Sequence, residues 1–252
     1  MIKNPRKMLQ FMLIVCILIG LAALAVGIVA LAKQEYIIAV AMILVAAWQI
    51  VNYRKWKKKP IRTGVFSGSF NPIHIGHLAL ANYLCEYGEV DEVWFLVTPQ
   101  NPFKQKAELL GDDLRLEMVR RAVAGYPRFV ASDFEFRLPR PSYTVNTLHH
   151  LAEAYPDREF YLIIGADNWA SFAQWKSPEE ILAHHHLLIY PRRPYEVAPE
   201  SLPARAKAVD TPLLEISATF IRRSIEAGKD IRYFLHPEVW KMIEEQKLYR
   251  KS

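Results

Sequence analysis

The fold of this chain is decided by a stretch that reads Gly64-Val-Phe-Ser-Gly-Ser-Phe-Asn-Pro-Ile-His-Ile-Gly-His77. Residues 61–66 are apolar enough to predict a central strand, and Pro72 keeps that strand from continuing. Gly68 is expected to let the backbone turn tightly and approach a ligand. After the turn, apolar residues recur at helical spacing and predict a helix that begins near Ile75.

The start of this helix is predicted to bind an anion. Its first N–H groups lack partners within the helix, and the positive end of its dipole favours negative charge. His74 and His77 are three residues apart and therefore share a face at that end. Their imidazole N–H groups can hold phosphate oxygens as charge builds up during a reaction. The alternative is an ordinary strand–helix turn without a ligand.

Downstream, short apolar runs alternate with helical patterns. This alternation predicts an α/β fold with a doubly wound parallel sheet and helices on both faces. In such sheets, ligands bind at the carboxyl ends of the strands. Strands are predicted at residues 93–98, 128–136, 160–164 and 187–190. Helices are predicted from a cap at Asp112, over residues 143–155, from a capping box at Ser177-Pro-Glu-Glu180, from Ser217 to Gly228, and from His236.

Two candidate site motifs follow predicted strand ends. Lys104, on the loop after residues 93–98, can neutralise triphosphate charge, unless it is a solvated surface lysine. Gly165 allows close approach of the backbone to a ligand. Asp167 can accept hydrogen bonds from a ribose, or it can simply cap the next helix.

A third motif, Glu215-Ile-Ser-Ala-Thr-Phe-Ile-Arg222, opens a predicted helix. Ser217 and Thr219 offer hydroxyls and backbone N–H groups at the helix N-terminus. Arg222 lies about one turn beyond Thr219, so its guanidinium can reach the same anion. A plain N-cap followed by a surface arginine is the alternative interpretation.

The ten residues ending at His77, together with Glu215–Arg222, resemble the nucleotidyltransferases that move an adenylyl or cytidylyl group from a nucleoside triphosphate. The resemblance implies a Rossmann-like sheet. It implies catalytic roles for His74, His77, Lys104 and Arg222, and ATP-binding roles for Gly68, Ser69, Phe70, Gly165, Asp167, Ser217 and Thr219. Two positions depart from the family pattern, because Phe103 replaces a histidine and Ala218 replaces a serine.

The segment Pro141-Ser-Tyr-Thr-Val-Asn-Thr147 and Trp175 are similar to one branch of this superfamily, the nicotinate-mononucleotide adenylyltransferases. The resemblance implies that Thr144, Trp175 and Lys176 surround the nicotinate ring and its carboxylate. From the sequence alone, aromatic residues such as Tyr143 and Trp175 are more often part of a core than of a binding site. The similarity covers about residues 61–250.

The reaction implied by this resemblance joins ATP and nicotinate mononucleotide, giving nicotinate adenine dinucleotide and pyrophosphate. Mg²⁺ is expected to arrive bound to the triphosphate, and no separate metal site is predicted. One alternative is a sister adenylyltransferase that uses nicotinamide mononucleotide or phosphopantetheine. Another is a membrane-tethered nucleotide sensor that has lost catalysis, which the departure at Phe103 permits.

The N-terminal part is expected to be a membrane hairpin, with spans at about residues 8–32 and 36–53 followed by a basic linker. The first run exceeds the ~20 apolar residues that cross a bilayer, whereas the second is marginal. Basic residues flank both ends, so the positive-inside rule predicts that both termini and the catalytic domain are cytoplasmic. A cleaved signal peptide and a hairpin buried on a soluble domain are the alternatives. The predicted domains are residues 1–59 and 60–252.

Charge is distributed unevenly along the chain. Residues 1–62 hold ten basic residues and one acidic residue, a charge of +9, whereas the remainder holds 22 basic and 25 acidic residues, a charge of −3. The later part therefore lacks the basic excess that nucleic-acid binding needs. The cluster at residues 54–59 is expected to contact anionic lipid headgroups. Cys16 and Cys85 allow neither a disulfide framework nor a zinc motif.

Overall fold

The computed structural model describes residues 5–56, 59–99 and 109–250. The chain divides into two compact units, Met1–Pro60 and Ile61–Ser252. Each unit is described separately. The functional division into a membrane hairpin and a catalytic domain stays a prediction.

The first unit is a pair of helices, α1 (Pro5–Ala32) and α2 (Tyr36–Trp56). Small residues fill the seam between them, and a Cβ atom built on Gly27 would lie 3.3 Å from the Cβ of Met42. The buried residues of this seam include Cys16, Ala23, Ala30, Ala39 and Ala46. Large apolar side chains face outward instead, among them Leu18, Leu21, Ile28, Ile37 and Leu44. The segments Phe11–Ala32 and Tyr36–Arg54 are long and apolar enough to cross a bilayer, a test of length and composition alone.

The second unit contains a six-stranded sheet with the strand order β3-β2-β1-β4-β5-β6. Every pair of neighbouring strands is parallel. The strand order therefore reverses direction between β1 and β4, which is where doubly wound folds bind ligands. The strands are β1 (Ile61–Gly68), β2 (Glu92–Val97), β3 (Phe129–Ser132), β4 (Arg158–Gly165), β5 (His186–Tyr190) and β6 (Ala206–Ala208).

Helices cover both faces of this sheet. Adjacent residues of a strand point to opposite faces, so each strand contributes side chains to both cores. Phe66 packs in a core cluster with α3, α4, α8 and α9. Val65, one residue earlier, packs in a second cluster with α5 and α7. The helices are α3 (Ile75–Glu86), α4 (Asp112–Val123), α5 (Thr144–Ala154), α6 (Ala166–Ala170), α7 (Pro178–His184), α8 (Ala218–Glu226) and α9 (Pro237–Glu245). The predicted doubly wound α/β fold is confirmed.

One predicted strand is shorter than expected. Residues 128–136 were expected to be extended, but β3 ends at Ser132 and a 3₁₀ helix follows over Phe134–Arg137. Asp133 leaves the β region (φ −94°, ψ 13°), and the Ser132 hydroxyl accepts a hydrogen bond from the Phe134 N–H at 3.2 Å. This local bond competes with the sheet and ends the strand.

Two predicted caps are also wrong in detail. Asp112 is the first residue of α4 rather than its cap, which is Gly111. Ser177 does precede α7, with Pro178 at the first helical turn, but it is left-handed (φ 48°) and its side chain makes no capping bond. The sequence therefore located these helix starts correctly but not their hydrogen bonds.

Candidate active site

A cleft of about 1360 Å³ lies at the carboxyl ends of the strands. It has two sides. We call the loop 68–71 with His74, His77 and Arg222 the histidine side, and Thr144, Trp175 and Lys176 the α5 side. Thirteen of the predicted site residues line this cleft: Gly68, Ser69, Phe70, His74, His77, Thr144, Gly165, Asp167, Trp175, Lys176, Ser217, Thr219 and Arg222. Lys104 and Phe103 lie outside the described residues.

The two histidines lie together at the start of α3. Their rings stack with centroids 3.7 Å apart, and His77 Nδ1 accepts a hydrogen bond from the His74 backbone N–H at 3.3 Å. Because Nδ1 is the acceptor, a neutral His77 carries its proton on Nε2. The ring can therefore present an N–H donor while its orientation is set by the backbone.

His74 is buried, with 4% of its surface exposed. Burial and, to a smaller extent, the nearby positive charge of Arg192 lower its pKa from 6.5 to about 4. His74 is therefore neutral at physiological pH and can donate through only one nitrogen. Its Nδ1 has no hydrogen-bond partner within the described ranges.

Gly76, between the two histidines, is required by the position of the His74 ring. A Cβ atom at this position would lie 3.1 Å from His74 Nδ1 and 3.2 Å from its Cε1. A larger residue would push the ring away from the helix start. This close approach is the physical reason for glycine in the His-x-Gly-His pattern.

The tight turn after β1 is made at Phe70 and not at Gly68. Phe70 is left-handed (φ 43°), an uncommon conformation for a bulky residue. Its buried ring packs edge-on against Phe66 and His77. Gly68 contributes space, because a Cβ there would lie 3.2 Å from the Phe70 ring. Gly68 was expected to make this turn. Instead it leaves room for the ring of Phe70, which adopts the strained left-handed conformation.

Arg222 joins α8 to the loop after β1. Its Nη1 donates to the Asn71 carbonyl at 3.1 Å, while Ser217 caps the helix by accepting from the Phe220 N–H at 3.1 Å. Asn71 is buried, and its Oδ1 accepts from the Tyr249 hydroxyl at 2.9 Å. The N-terminus of α8 is thus held next to that of α3.

Arg115 also contacts the loop after β1. Its side chain is fully buried and donates to the carbonyls of Ser69 at 2.6 Å and Thr98 at 3.0 Å. It also pairs with Asp112 at 2.5 Å. This arginine anchors the carboxyl ends of β1 and β2 to α4. The charge of a buried arginine is stabilised here by several acceptors at once.

Asp167 is the second residue of α6, just after the end of β4, and lines the same cleft. Its Oδ2 is 3.4 Å from Arg192 Nε, whereas its Oδ1 is buried and has no hydrogen-bond partner among the described residues. A Cβ at Gly165 would lie 2.4 Å from that Oδ1, so only glycine permits this arrangement. The carboxylate is an acceptor suited to a hydroxyl donor.

The α5 side offers a different set of groups. Thr144 is the first residue of α5, so the positive end of that helix dipole faces the cleft. Lys176 Nζ lies 4.5 Å from the centre of the Tyr143 ring, a cation–π contact. Trp175 packs at 5.3 Å from Phe172 and its backbone N–H already donates to the Phe172 carbonyl. Positive charge and an aromatic wall suit a flat anionic ring.

Comparison with known proteins places this geometry in a family. Residues 65–224 match the profile described as cytidylyltransferase-like. The chain belongs to that family. It is similar to a probable nicotinate-nucleotide adenylyltransferase of Bacteroides thetaiotaomicron, at 58% identity over 192 residues that cover 76% of this chain and 95% of the relative. The relative in Flavobacterium johnsoniae is 45% identical over 194 residues, covering 76% and 100%.

A solved structure supports the fold. Nicotinic acid mononucleotide adenylyltransferase of Plasmodium falciparum, complexed with NaAD, superposes with a TM-score of 0.64 at 18% identity. It covers 75% of this chain and 97% of that structure. The Flavobacterium relative is matched over its whole length, and that match takes in 76% of this chain.

Four residues at this family site were not found from the sequence. Asn71 lies within the first motif, whereas the other three lie outside the recognised motifs and are identified by their contacts in the folded chain. Arg115 gives one signal, because it lies on a helix four residues before the inward-facing Val119. The four are Asn71, Arg115, Glu135 and Tyr249.

The described residues of the cleft favour phosphate over a bare metal ion. Imidazole and guanidinium groups on the histidine side are donors for phosphate oxygens, whereas Mg²⁺ prefers oxygen ligands. Within the described ranges, no group of three His, Cys, Asp or Glu side chains is arranged to hold a metal. In the histidine run 184–186, His186 stacks on Tyr161 and lies 3.6 Å from Glu159.

Proposed function

We propose that this chain transfers the adenylyl group of ATP to nicotinate mononucleotide, giving nicotinate adenine dinucleotide and pyrophosphate for NAD biosynthesis. One observation carries the proposal. A single cleft is lined both by the imidazole and guanidinium groups of the histidine side, which suit phosphate, and by the cationic and aromatic groups of the α5 side. The relatives at 45–58% identity are described as nicotinate-nucleotide adenylyltransferases.

The chemistry needs positioning rather than a protein nucleophile. An oxygen of the mononucleotide phosphate attacks the α-phosphorus of ATP in line, and the bond from that phosphorus to the pyrophosphate oxygen breaks. His77 donates from Nε2 to the α-phosphate as negative charge builds up. The N-termini of α3 and α8 and Arg222 stabilise the triphosphate. Lys104 is proposed to add charge from its loop.

The nucleoside of ATP lies along the ends of β1 and β4 in this proposal. Asp167 Oδ1 accepts a hydrogen bond from the ribose, and Gly165 lets the nucleotide approach the backbone. Ser217 and Thr219 contribute donors at the start of α8. The loop residues Gly68, Ser69 and Phe70 line the phosphate path.

The α5 side is proposed to hold nicotinate mononucleotide. Thr144 and the N-terminus of α5 favour the pyridine carboxylate. Lys176 adds a positive charge, and Trp175 supplies a flat wall for the ring. Trp175 acts through its ring and not through its backbone N–H, which is already bonded. The divalent cation of such reactions, proposed to be Mg²⁺, would come on the triphosphate, because the cleft residues do not form its ligand set.

The test is a pyrophosphate-release assay on the purified chain, with the dinucleotide product identified by chromatography. Nicotinate mononucleotide with ATP is expected to give both products in equal amounts. Nicotinamide mononucleotide and phosphopantetheine are the comparison acceptors. Faster turnover with either would assign the chain to a sister activity. Nucleotide binding without pyrophosphate release would instead identify a sensor.

We also infer that α1 and α2 anchor the enzyme in the membrane with the catalytic unit in the cytoplasm. The large side chains of this hairpin face outward, where lipid can cover them, and small residues fill its seam. Basic residues at both ends support cytoplasmic termini. ATP and the mononucleotide are also cytoplasmic.

Fractionation tests this anchoring. The full-length chain should stay in membranes through high-salt and alkaline washes, because insertion is hydrophobic. A form lacking residues 1–59 should be soluble with unchanged kcat/KM, because the residues that line the cleft all come after Ile61. Release of the full-length chain by high salt alone would contradict a spanning hairpin.

A further inference from the structure

Glu135 is a buried carboxyl group in the wall of the cleft. It lies on the 3₁₀ helix Phe134–Arg137, and only 3% of its surface is exposed. A buried carboxyl group needs polar partners to offset the loss of water. Its two oxygens have different surroundings. One accepts hydrogen bonds from hydroxyl groups, whereas the other has no partner among the described residues. This difference indicates the role of the residue.

The first oxygen accepts hydrogen bonds from hydroxyl groups of two elements, α5 and β1. Glu135 Oε1 accepts from Thr147 Oγ1 at 3.0 Å and from Ser67 Oγ at 3.4 Å. Ser67 also pairs with Thr98 Oγ1 at 3.0 Å. The carboxyl group therefore ties the ends of β1 and β2 to α5. Because Thr147 is one helical turn after Thr144, this contact fixes the start of α5 in the cleft.

The second oxygen is left open. Glu135 Oε2 is buried and has no hydrogen-bond partner among the described parts of the chain. Burial raises the pKa of Glu135, while hydrogen bonds from Thr147, Thr98 and Ser67 oppose that rise by favouring the carboxylate. An acceptor buried without a partner is costly, and natural sites that keep one have a reason for it.

The chemistry of the mononucleotide identifies a donor for this oxygen. At neutral pH, its carboxylate and its largely ionised phosphate act as acceptors. Its ribose hydroxyls are its remaining donors. Resting on the function proposed above, we propose that Glu135 binds the ribose of the mononucleotide. Oε2 accepts a hydrogen bond from a ribose hydroxyl. The hydrogen bonds to Oε1 hold α5 next to the carboxyl end of β1.

The test compares Glu135→Gln with the wild-type chain, using nicotinate mononucleotide and its 2′-deoxy and 3′-deoxy analogues. The amide can keep one oxygen on the hydroxyl cluster while presenting N–H donors to the cleft. Hydrogen bonds to charged groups are worth about 10–150-fold in affinity. We expect KM for the mononucleotide to rise about tenfold or more, with KM for ATP within about twofold of the wild type.

The analogues separate binding from general damage. In the wild type, one deoxy analogue should lose about tenfold or more in kcat/KM, and in Glu135→Gln that loss should disappear. Glu159→Gln is a matched control, because Glu159 is the second residue of β4, at the end of the strand away from the cleft. Thr147→Val removes one donor to Oε1 and should also raise KM for the mononucleotide but not for ATP.

Three results would overturn the assignment. An unchanged KM in Glu135→Gln would show that Oε2 does not contact the substrate. Equal increases in both KM values would indicate a structural role alone. A deoxy penalty that persists in the variant would place the hydroxyl on another residue. A wild-type chain that forms no dinucleotide would instead refute the proposed function.

Discussion

On the histidine side of the cleft, His74, Asn71 and Arg115 are buried and are positioned by contacts with the backbone. On the α5 side, Thr144 and Trp175 are partly exposed and Lys176 is exposed. The groups of the histidine side are therefore held by buried contacts before a ligand arrives, whereas those of the α5 side are more exposed. The contrast predicts that changes on the first side affect kcat and changes on the second affect the choice of substrate.

The strongest test of the histidine side is His77→Ala. The substitution removes the donor that is proposed to contact the transferring phosphate. Loss of one such donor costs about 2.7–4 kcal/mol in the transition state, so kcat should fall roughly 100–1,000-fold. Steady-state kinetics measure the effect. His149→Ala, at an exposed histidine of α5, is the matched control. Unchanged turnover in a folded His77→Ala variant would remove His77 from the mechanism.

On the α5 side, the expected effect is on selectivity. Charge-assisted hydrogen bonds contribute about 1.5–3 kcal/mol, so the acid mononucleotide should exceed the amide by more than tenfold in kcat/KM. Lys176→Met should reduce that ratio with little effect on KM for ATP. Lys241→Met, at an exposed position on α9, is the control. Equal use of acid and amide by the wild type would refute this view of the α5 side.

Burial on the histidine side should also make stability depend on pH. The pKa of His74 is lowered from 6.5 to about 4, so between these values the unfolded chain binds a proton that the folded chain does not. The free energy of unfolding should therefore fall as pH drops from 6.5 to 4, by up to about 3 kcal/mol. Urea titrations at pH 7.5 and 5 measure this. His74→Gln should flatten the pH dependence by about 2 kcal/mol, and an equal slope would show that His74 is not the buried group responsible.

The smallest expected effect comes from the C-terminal contact with the loop. Tyr249→Phe removes the hydroxyl that donates to Asn71 while leaving the ring in place. A neutral hydrogen bond is worth about 0.5–1.5 kcal/mol, so kcat/KM should fall roughly 2–10-fold. Tyr233→Phe is the control, because Tyr233 is 87% exposed. If both variants behave alike, the Asn71 contact does not position the loop.

The sequence predicted the residues of the histidine side better than the residues that hold them in place. His74, Gly76 and His77 are adjacent along the chain, so their spacing alone reveals a shared helix start. Arg115 and Tyr249 reach the loop from distant parts of the chain, and no local pattern links them to it. The turn shows the same limit. Gly68 was expected to adopt the unusual backbone conformation, but the left-handed residue is Phe70. Packing of the Phe70 ring overrides the preference of a bulky residue for negative φ.

The strand pattern succeeded for a similar reason. β1, β2, β4 and β5 are buried on both faces and therefore read as continuous apolar runs. β6 has three residues, at the edge of the sheet, and carries no such run. Glu135 was missed because a single acidic residue in a predicted strand gives no sign of burial. Only the folded chain brings it to Thr147 and Ser67.

The parallel sheet has a consequence for how such a chain can acquire new parts. β1 is the first strand of its unit and lies in the middle of the sheet. Because the cleft lies at the carboxyl ends of the strands, Ile61, the first residue of β1, lies at the opposite end. An eight-residue strand separates the two ends by about 23 Å. A segment joined before Ile61 is thus attached far from the reacting groups. A segment can therefore be joined to this end of the unit without changing the residues that line the cleft.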